Sequence, residues 1–276
     1  MKCYINVKID NIMTLTWDKD GAEIKRNFID KKVIKKCLDS IIELEKKGNN
    51  IPKSAINEIY NNKNYIRYIP KCHEAIADFS QLINSKILNI CTNYLGSNVY
   101  FWDSDLHSRW GSNSVNTPPH QDSFLKCLNE KYPDMITCYI PLTKIDKKSN
   151  PMHIIKGSFK KKTLPHKRSK ILGFSSIIVE NENLLQKNLK KNEAEILLNP
   201  GDVFFFHGKT IHYSKHSKKN INSNNRRIAV AIRILGENVR FSKKKMSQYI
   251  QNVKYNRSFA IKQGLTKESK SFIKRI

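Results

Sequence analysis

Between residues 98 and 235 the apolar side chains come in short runs rich in Ile, Val, Tyr, Phe and Thr, and Pro, Gly, Asn or Asp interrupts each run before helical periodicity can develop. This pattern restricts the region to β structure. Candidate strands are Asn98–Trp102, Leu106–Trp110, His120–Phe124, Met135–Leu142, Met152–Ile155, Glu195–Leu198, Asp202–His207 and Arg227–Leu235. Asn199-Pro200-Gly201-Asp202 puts Pro and Gly in the central positions of a type II turn, which suits a connection into a strand.

Helical signals are confined to the flanks. Phe28–Lys47 reads as an amphipathic helix with Asp30 as N-cap, Ile34, Leu38, Ile41, Ile42 and Leu44 on one face, and Gly48 as its stop. Ser80–Tyr94 reads as a second helix ended by Gly96, and the basic tail carries a third around Met246–Val253. With no repeat and no Gly/Ser or Pro-rich linker, residues 1–276 read as one domain: a helical N-terminal part over about 23–96, a β core over about 98–235 and a basic tail over about 237–276. Helices first and antiparallel strands after fit a double-sheet jelly roll, mainly β with flanking α.

Composition narrows the partners. Lys and Arg number 50 against 24 Asp and Glu, a formal charge of +26. The basic residues are spread through an Asn- and Ile-rich chain, which reads first as a solvated Lys-rich surface. A second reading is steering of an anionic partner, and it tilts the choice toward an anionic small molecule. No stripe of Arg interleaved with aromatics marks a nucleic-acid surface, so nucleic acid is a minority reading. No apolar run reaches the roughly 20 residues of a membrane span. The first residues lack the apolar stretch of a secretory leader, so the expectation is a cytoplasmic protein. Cys3, Cys37, Cys72, Cys91, Cys127 and Cys138 form no CxxC pair and read as reduced, buried thiols.

The segment richest in chemistry is Thr117-Pro118-Pro119-His120-Gln121-Asp122-Ser123. On a strand, residues i and i+2 share a face, so His120 and Asp122 would project an imidazole and a carboxylate into one space. A third ligand from elsewhere would complete a 2-His-1-carboxylate facial triad with open positions on a ferrous ion. Taken alone, His120 is more simply a strand histidine satisfied by a neighbour. The second segment, Gly201 to Ser214, holds His207 and His212-Tyr213-Ser214 and is followed by Arg226-Arg227-Ile228-Ala229-Val230-Ala231-Ile232-Arg233.

With these residues together the chain resembles the phytanoyl-CoA dioxygenase family of Fe(II)- and 2-oxoglutarate-dependent oxygenases, over roughly residues 75–235. The family pairs an HxD strand with an HxS about ninety residues later and then a strand opening with Arg; here these are His120/Asp122, His212/Ser214 and Arg227. Ser149 to Phe159 is similar to the family's turn and strand between them. The resemblance implies a double-stranded β-helix (cupin-like) core and Fe(II), 2-oxoglutarate and O2 as cofactor and cosubstrates. It makes His120, Asp122 and His212 the metal ligands, Arg227 the partner of the distal 2-oxoglutarate carboxylate, and Ser214 a second donor to it. His212 is preferred to His207 because Ser follows two residues on. Arg227 is preferred to Arg226 because Ala229, Ala231 and Arg233 then share its face. Tyr139 falls where the family often has an aromatic beside the cosubstrate, although core packing is the simpler role. The family's spacing is exceeded by the polar run 215–225 between His212 and the Arg.

The resemblance implies hydroxylation of an unactivated C–H of a small-molecule substrate with release of succinate and CO2. Asp122 argues against halogenation, which needs that carboxylate position vacant. Desaturation or cyclisation would use the same residues. Two competing readings are a non-catalytic basic jelly-roll binding protein with a vestigial metal site, and a jelly roll using another divalent metal for isomerisation or hydrolysis. His73, His107, His153, His166 and His216 lack a partner at ligand spacing and read as structural, and Trp102 and Trp110 lie where entrance or packing roles are equally open.

Overall fold

The computed structural model describes residues 14–47, 51–52, 54–60, 63–110, 117–122, 128, 134–168, 176–178, 190–214 and 225–262. In chain order these form α1 (Trp17–Asp20), β1 (Ala22–Lys25), α2 (Lys31–Lys47), β2 (Ile56–Tyr60), β3 (Lys63–Pro70), α3 (Cys72–Ala75) and α4 (Ser85–Leu95). The β-rich part follows as β4 (Val99–Trp110), β5 (Thr117–His120), β6 (Met135–Pro141), β7 (Met152–Ile155), β8 (His166–Arg168), β9 (Ser176–Ile178), β10 (Glu193–Ile196), β11 (Val203–His207), β12 (His212–Ser214) and β13 (Arg226–Gly236). A final helix, α5, spans Lys243–Lys262.

Two antiparallel sheets make the jelly roll. The larger has the order β1-β11-β6-β13-β4-β3-β2, and the smaller β10-β7-β12-β5. β13 is the spine of the larger sheet, paired along its length with β4 and over Ala229–Leu235 with β6. Alternation along β13 sorts its side chains into two cores. Ile228, Val230, Ile232 and Ile234 join Ile34, Cys37 and Ile41 of α2 and Ile87, Cys91 and Leu95 of α4 on the helix-covered face. Ala229 and Ala231 face inward with Tyr139, Phe204 and Phe206, against Ile154, Ala194 and Ile196 of the smaller sheet. Each fully buried Leu, Ile or Phe in these layers contributes about 1.5–3 kcal/mol.

The helices form where their ends are satisfied. Asp30 Oδ1 accepts from the Lys32 amide at 2.7 Å, and α2 begins there rather than at Phe28. Asn84 caps α4 by accepting from the Ile87 amide, and Gly96 closes it at φ 101°. The single helix read over Ser80–Tyr94 is therefore divided: a 3-10 segment, Ala77–Leu82, precedes the cap. The tail helix is longer than read, and residue 48 lies outside the described residues.

Three differences from the sequence reading bear on the site. The N-terminal part is not purely helical: β1 adds to one edge of the larger sheet through Ala22 to Lys25, while β3 and β2 extend the other. Asn98–Trp102 and Leu106–Trp110 are one strand, because Asp103-Ser104-Asp105 is extended sheet whose polar side chains find partners rather than a turn. The register shifts between Arg233, opposite Asp103, and Ile234, opposite Phe101, so β4 carries one extra residue there, Trp102, as in a bulge. Finally, β5 covers Thr117–His120 rather than His120–Phe124, and residues 123 and 124 lie outside the described residues.

The four described cysteines, Cys37, Cys72, Cys91 and Cys138, are buried thiols; Cys3 and Cys127 lie outside the described residues. Among the described residues no helix is long and apolar enough to cross a membrane.

The type II turn forms as read: Gly201 takes φ 98°, the Asp202 amide donates to Asn199 O at 3.0 Å, and Gly201 O accepts from the Phe28 and Ile29 amides. A Cβ at Gly201 would stand 3.0 Å from Ile29 O. Gly201→Ala should therefore lower the unfolding free energy by about 1–3 kcal/mol in a urea titration. An unchanged midpoint would show that the turn relaxes without cost.

Candidate active site

Antiparallel pairing places His212 of β12 directly opposite His120 of β5. Their rings lie 4.1 Å apart between centroids, and Phe206 of the larger sheet packs on His212 at 4.8 Å. Each imidazole is fixed by the carbonyl two residues before it: Nδ1 of His120 is 2.9 Å from Pro118 O, and Nδ1 of His212 is 2.9 Å from Thr210 O. A carbonyl can only accept, so both rings carry their proton on Nδ1 and present Nε2 as a lone pair. Burial pushes both pKa values below the ordinary histidine range; the neighbouring His212 lowers His120 further, while Asp122 partly offsets the effect on His212. Two neutral, oriented imidazoles are the form that ligates a metal.

Asp122 lies just past the end of β5, not on the strand itself. Its amide donates to Gly208 O at 3.1 Å. Gln121, whose side chain turns away from the pair, donates to Lys209 O and accepts from the Leu164 amide. The Gln121 amide in turn donates to His166 Nε2 at 3.1 Å. These bonds clamp the HxD segment between two loops. The Asp122 carboxylate accepts from the Thr137 hydroxyl, and its other oxygen lies 3.6 Å from Arg233 Nε. Burial opposes its ionisation, but Arg233, then His212 and Thr137, hold it below the usual carboxylate value. Among the described residues no three His, Cys, Asp or Glu side chains are already closed around a metal position. His120 and His212 face each other, and Asp122 is held on Thr137 and Arg233.

The two adjacent arginines part at β13. Arg226 faces the helices, forks onto Glu45 of α2 at 2.7 and 2.5 Å, donates to Ser108 Oγ and lies over the Tyr65 and Trp110 rings. Arg227 faces inward, is buried, and donates to Asn150 O at 2.5 Å. Among the described residues no carboxylate lies within ion-pair distance of Arg227. Its cross-strand neighbour Arg109 is also buried, donates to Thr117 Oγ1 at 2.6 Å, and has its pKa lowered by burial and then by Arg227. Ser214 accepts from the Thr117 amide at 3.4 Å. Tyr139 lies in the inner core between Phe204 and Ala231.

The other sequence candidates separate clearly. His207 packs between Trp17 and Phe159 and accepts from the Lys209 amide, apart from the imidazole pair. His73 meets Ser104 and Phe101, His153 meets Glu193 and Tyr213, and His166 meets Leu164 O. His216 lies outside the described residues. Trp110 is a packing residue under Arg226, and Trp102 stacks on Phe241. His107 packs against Tyr68 on the same strand face as Arg109, and burial, then Arg109, Arg233 and Arg227, push its pKa well below the ordinary histidine value. Sequence reasoning also missed Arg109, Thr137 and the Asp105–Arg233 pair. The i, i+2 series Asp103, Asp105, His107, Arg109 was the available signal.

This architecture is that of the iron- and 2-oxoglutarate-dependent oxygenases. The fold is similar to EctD from S. alaskensis in its apoform (TM-score 0.66, 16% identity, 82% of this chain and 77% of that one). It is also similar to the epimerase SnoN in complex with Fe3+, alpha-ketoglutarate and nogalamycin RO (0.62, 13%, 82% of each chain). A third is the carbocyclase SnoK from nogalamycin biosynthesis (0.60, 16%, 82% and 83%). The phytanoyl-CoA dioxygenase (PhyH) family model matches residues 17–228, and the chain belongs to that family. Comparison with curated proteins gives no match.

Burial that keeps histidines neutral makes the fold acid-sensitive. His207 is pushed down to about 4, and His120 and His212 also fall below the ordinary value near 6.5. Unfolding then takes up protons, so stability present above pH 6.5 should decline as pH falls toward about 4. Urea midpoints measured across that range test the sign; a midpoint that rises on acidification would contradict it.

Proposed function

We propose that the chain is an Fe(II)- and 2-oxoglutarate-dependent dioxygenase that hydroxylates an unactivated C–H of a small molecule. His120, Asp122 and His212 would hold the metal and Arg227 the distal carboxylate of 2-oxoglutarate. The donor set suits the ion: two neutral imidazoles with Nε2 available to accept, and one carboxylate kept ionised. Bound iron with 2-oxoglutarate and O2 would supply C–H oxidation, releasing succinate and CO2.

The observation that carries the reading is the contrast at β13. A buried guanidinium is expensive unless an anion meets it. Arg226 has its anion in Glu45, whereas Arg227, on the inner face, has none among the described residues. Beside it Arg109 adds a second buried cation, so this end of the cavity favours a carboxylate-bearing ligand and the forked geometry favours bidentate capture. Ser214 and Tyr139 complete the proposed cosubstrate end, beside the apolar inner core. SnoN is an epimerase and SnoK a carbocyclase, so one architecture serves several outcomes, and hydroxylation is the default among them. The proposed location is cytoplasmic.

The test is succinate release from 2-oxoglutarate with Fe(II), followed across a metabolite set for substrate-stimulated turnover. Asp122→Ala should abolish it. Arg227→Met should raise KM for 2-oxoglutarate by at least about 30-fold, as expected when a buried charge pair loses one member at about 2 kcal/mol or more. Arg226→Met should instead lower thermal stability, by stranding Glu45, and leave that KM unchanged. A KM that responds to Arg226 and not to Arg227 would refute the assignment.

A further inference from the structure

Asp122 is the proposed ligand not carried on a strand, so backbone pairing alone does not aim its carboxylate. Two side chains aim it, and they are direct cross-strand neighbours: Thr137 of β6 and Arg233 of β13 share a register position on the inner face. Thr137 donates to Oδ2, and Arg233 Nε approaches Oδ1 to 3.6 Å. Arg233 is anchored from behind, because its Nη1 donates to Asp105 Oδ2 at 2.7 Å while the Tyr68 hydroxyl donates to Asp105 Oδ1 at 2.9 Å. The chain Tyr68–Asp105–Arg233–Asp122 thus runs from β3 through β4 and β13 to the candidate metal site, with every member but Tyr68 nearly fully buried.

Resting on the metal-ligand reading above, we propose that Arg233 and Thr137 are positioning residues that fix the orientation of Asp122, with Asp105 holding Arg233 in place. A guanidinium hydrogen-bonded to Asp105 cannot swing away, so its charge, 3.6 Å from Asp122 Oδ1, limits how far the carboxylate can rotate. A hydroxyl on the opposite oxygen removes the remaining freedom. The arrangement favours one defined carboxylate geometry toward a cation. Partners of this kind set metal affinity by orienting the ligand, and losing one weakens binding about 10- to 100-fold. The role requires a cation with a fork: Lys at 233 would keep the charge and lose the geometry that lets one group bond Asp105 while facing Asp122.

The test is anaerobic Fe(II) titration of the full chain, read by its dissociation constant and by the visible charge-transfer band formed with 2-oxoglutarate. The variants are Thr137→Val, Arg233→Lys and the double change Arg233→Met with Asp105→Asn, which removes both members of the buried Asp105–Arg233 pair and leaves Asp122 with Thr137 alone of its two positioning partners. Folding is checked by circular dichroism and thermal melting without metal. The folded double variant should bind Fe(II) about 10- to 100-fold more weakly with a displaced band. Arg233→Lys should fall between it and the parent, and Thr137→Val should show a comparable loss that adds less than fully to it. A folded double variant with parental affinity and band would overturn the proposal, and so would a double variant that fails to fold, since Arg233 would then serve the architecture alone. If the parent chain itself binds no Fe(II), the metal-ligand reading fails instead.

Discussion

The antiparallel register that sets His212 opposite His120 is the constraint on which the rest of the site depends. Side chains alternate along a strand, so a slip of one residue in β12 would turn His212 out of the site and bring Ile211 or Tyr213 in. The register is held on both sides. β12 also pairs with β7 through His212–Ser214, and the Ser158 hydroxyl accepts from the Ile211 amide at 2.9 Å. Each imidazole then takes its tautomer from a carbonyl two residues upstream, so backbone position fixes proton position as well. Asp122 escapes this control because it lies beyond β5, and side chains of the opposite sheet take over its placement.

The same alternation divides β13 into a stabilising face and a chemical one. Its outer residues close the core under α2 and α4, and Arg226 ends that face in a satisfied ion pair. Its inner residues are two small alanines between two arginines. Small side chains leave room between the sheets, and the arginines bring positive charge to two separate places. Arg233 meets acids belonging to the chain, Asp105 and Asp122. Arg227 meets a carbonyl, with Arg109 beside it. A protein interior tolerates two neighbouring guanidiniums poorly, and an anionic ligand between them would offset the cost.

Much of this was legible in the sequence for a physical reason: period-two alternation is local. Counting along short apolar runs puts His120 and Asp122 on one strand face and groups Arg227 with Ala229 and Ala231, while His212 and Ser214 are legible through the resemblance to the family; the structure pairs His212 with His120 and packs Ala229 and Ala231 in the inner core. The Asn199–Asp202 turn and the caps at Asp30 and Gly96 are equally local. What escaped was non-local or disguised. β1 and β3 are stabilised by partners 180 and about 40 residues away, and their own polar content hides them. Asp103-Ser104-Asp105 carries turn-forming residue types, yet Asp105 is extended because Arg233 and Tyr68 satisfy its carboxylate. His107 and Arg109, read as an ordinary strand, belong to the polar inner face. The alternating series Asp103, Asp105, His107, Arg109 was a local sign of that face, and pairing with β13 shows what it packs against.

The most direct measurement is anomalous diffraction at the iron edge from crystals grown anaerobically with Fe(II) and 2-oxoglutarate. The account requires one iron atom bounded by the His120 and His212 imidazoles and the Asp122 carboxylate, with the far carboxylate of 2-oxoglutarate on Arg227. Iron bound elsewhere, or a cosubstrate lodged away from Arg227, would contradict it.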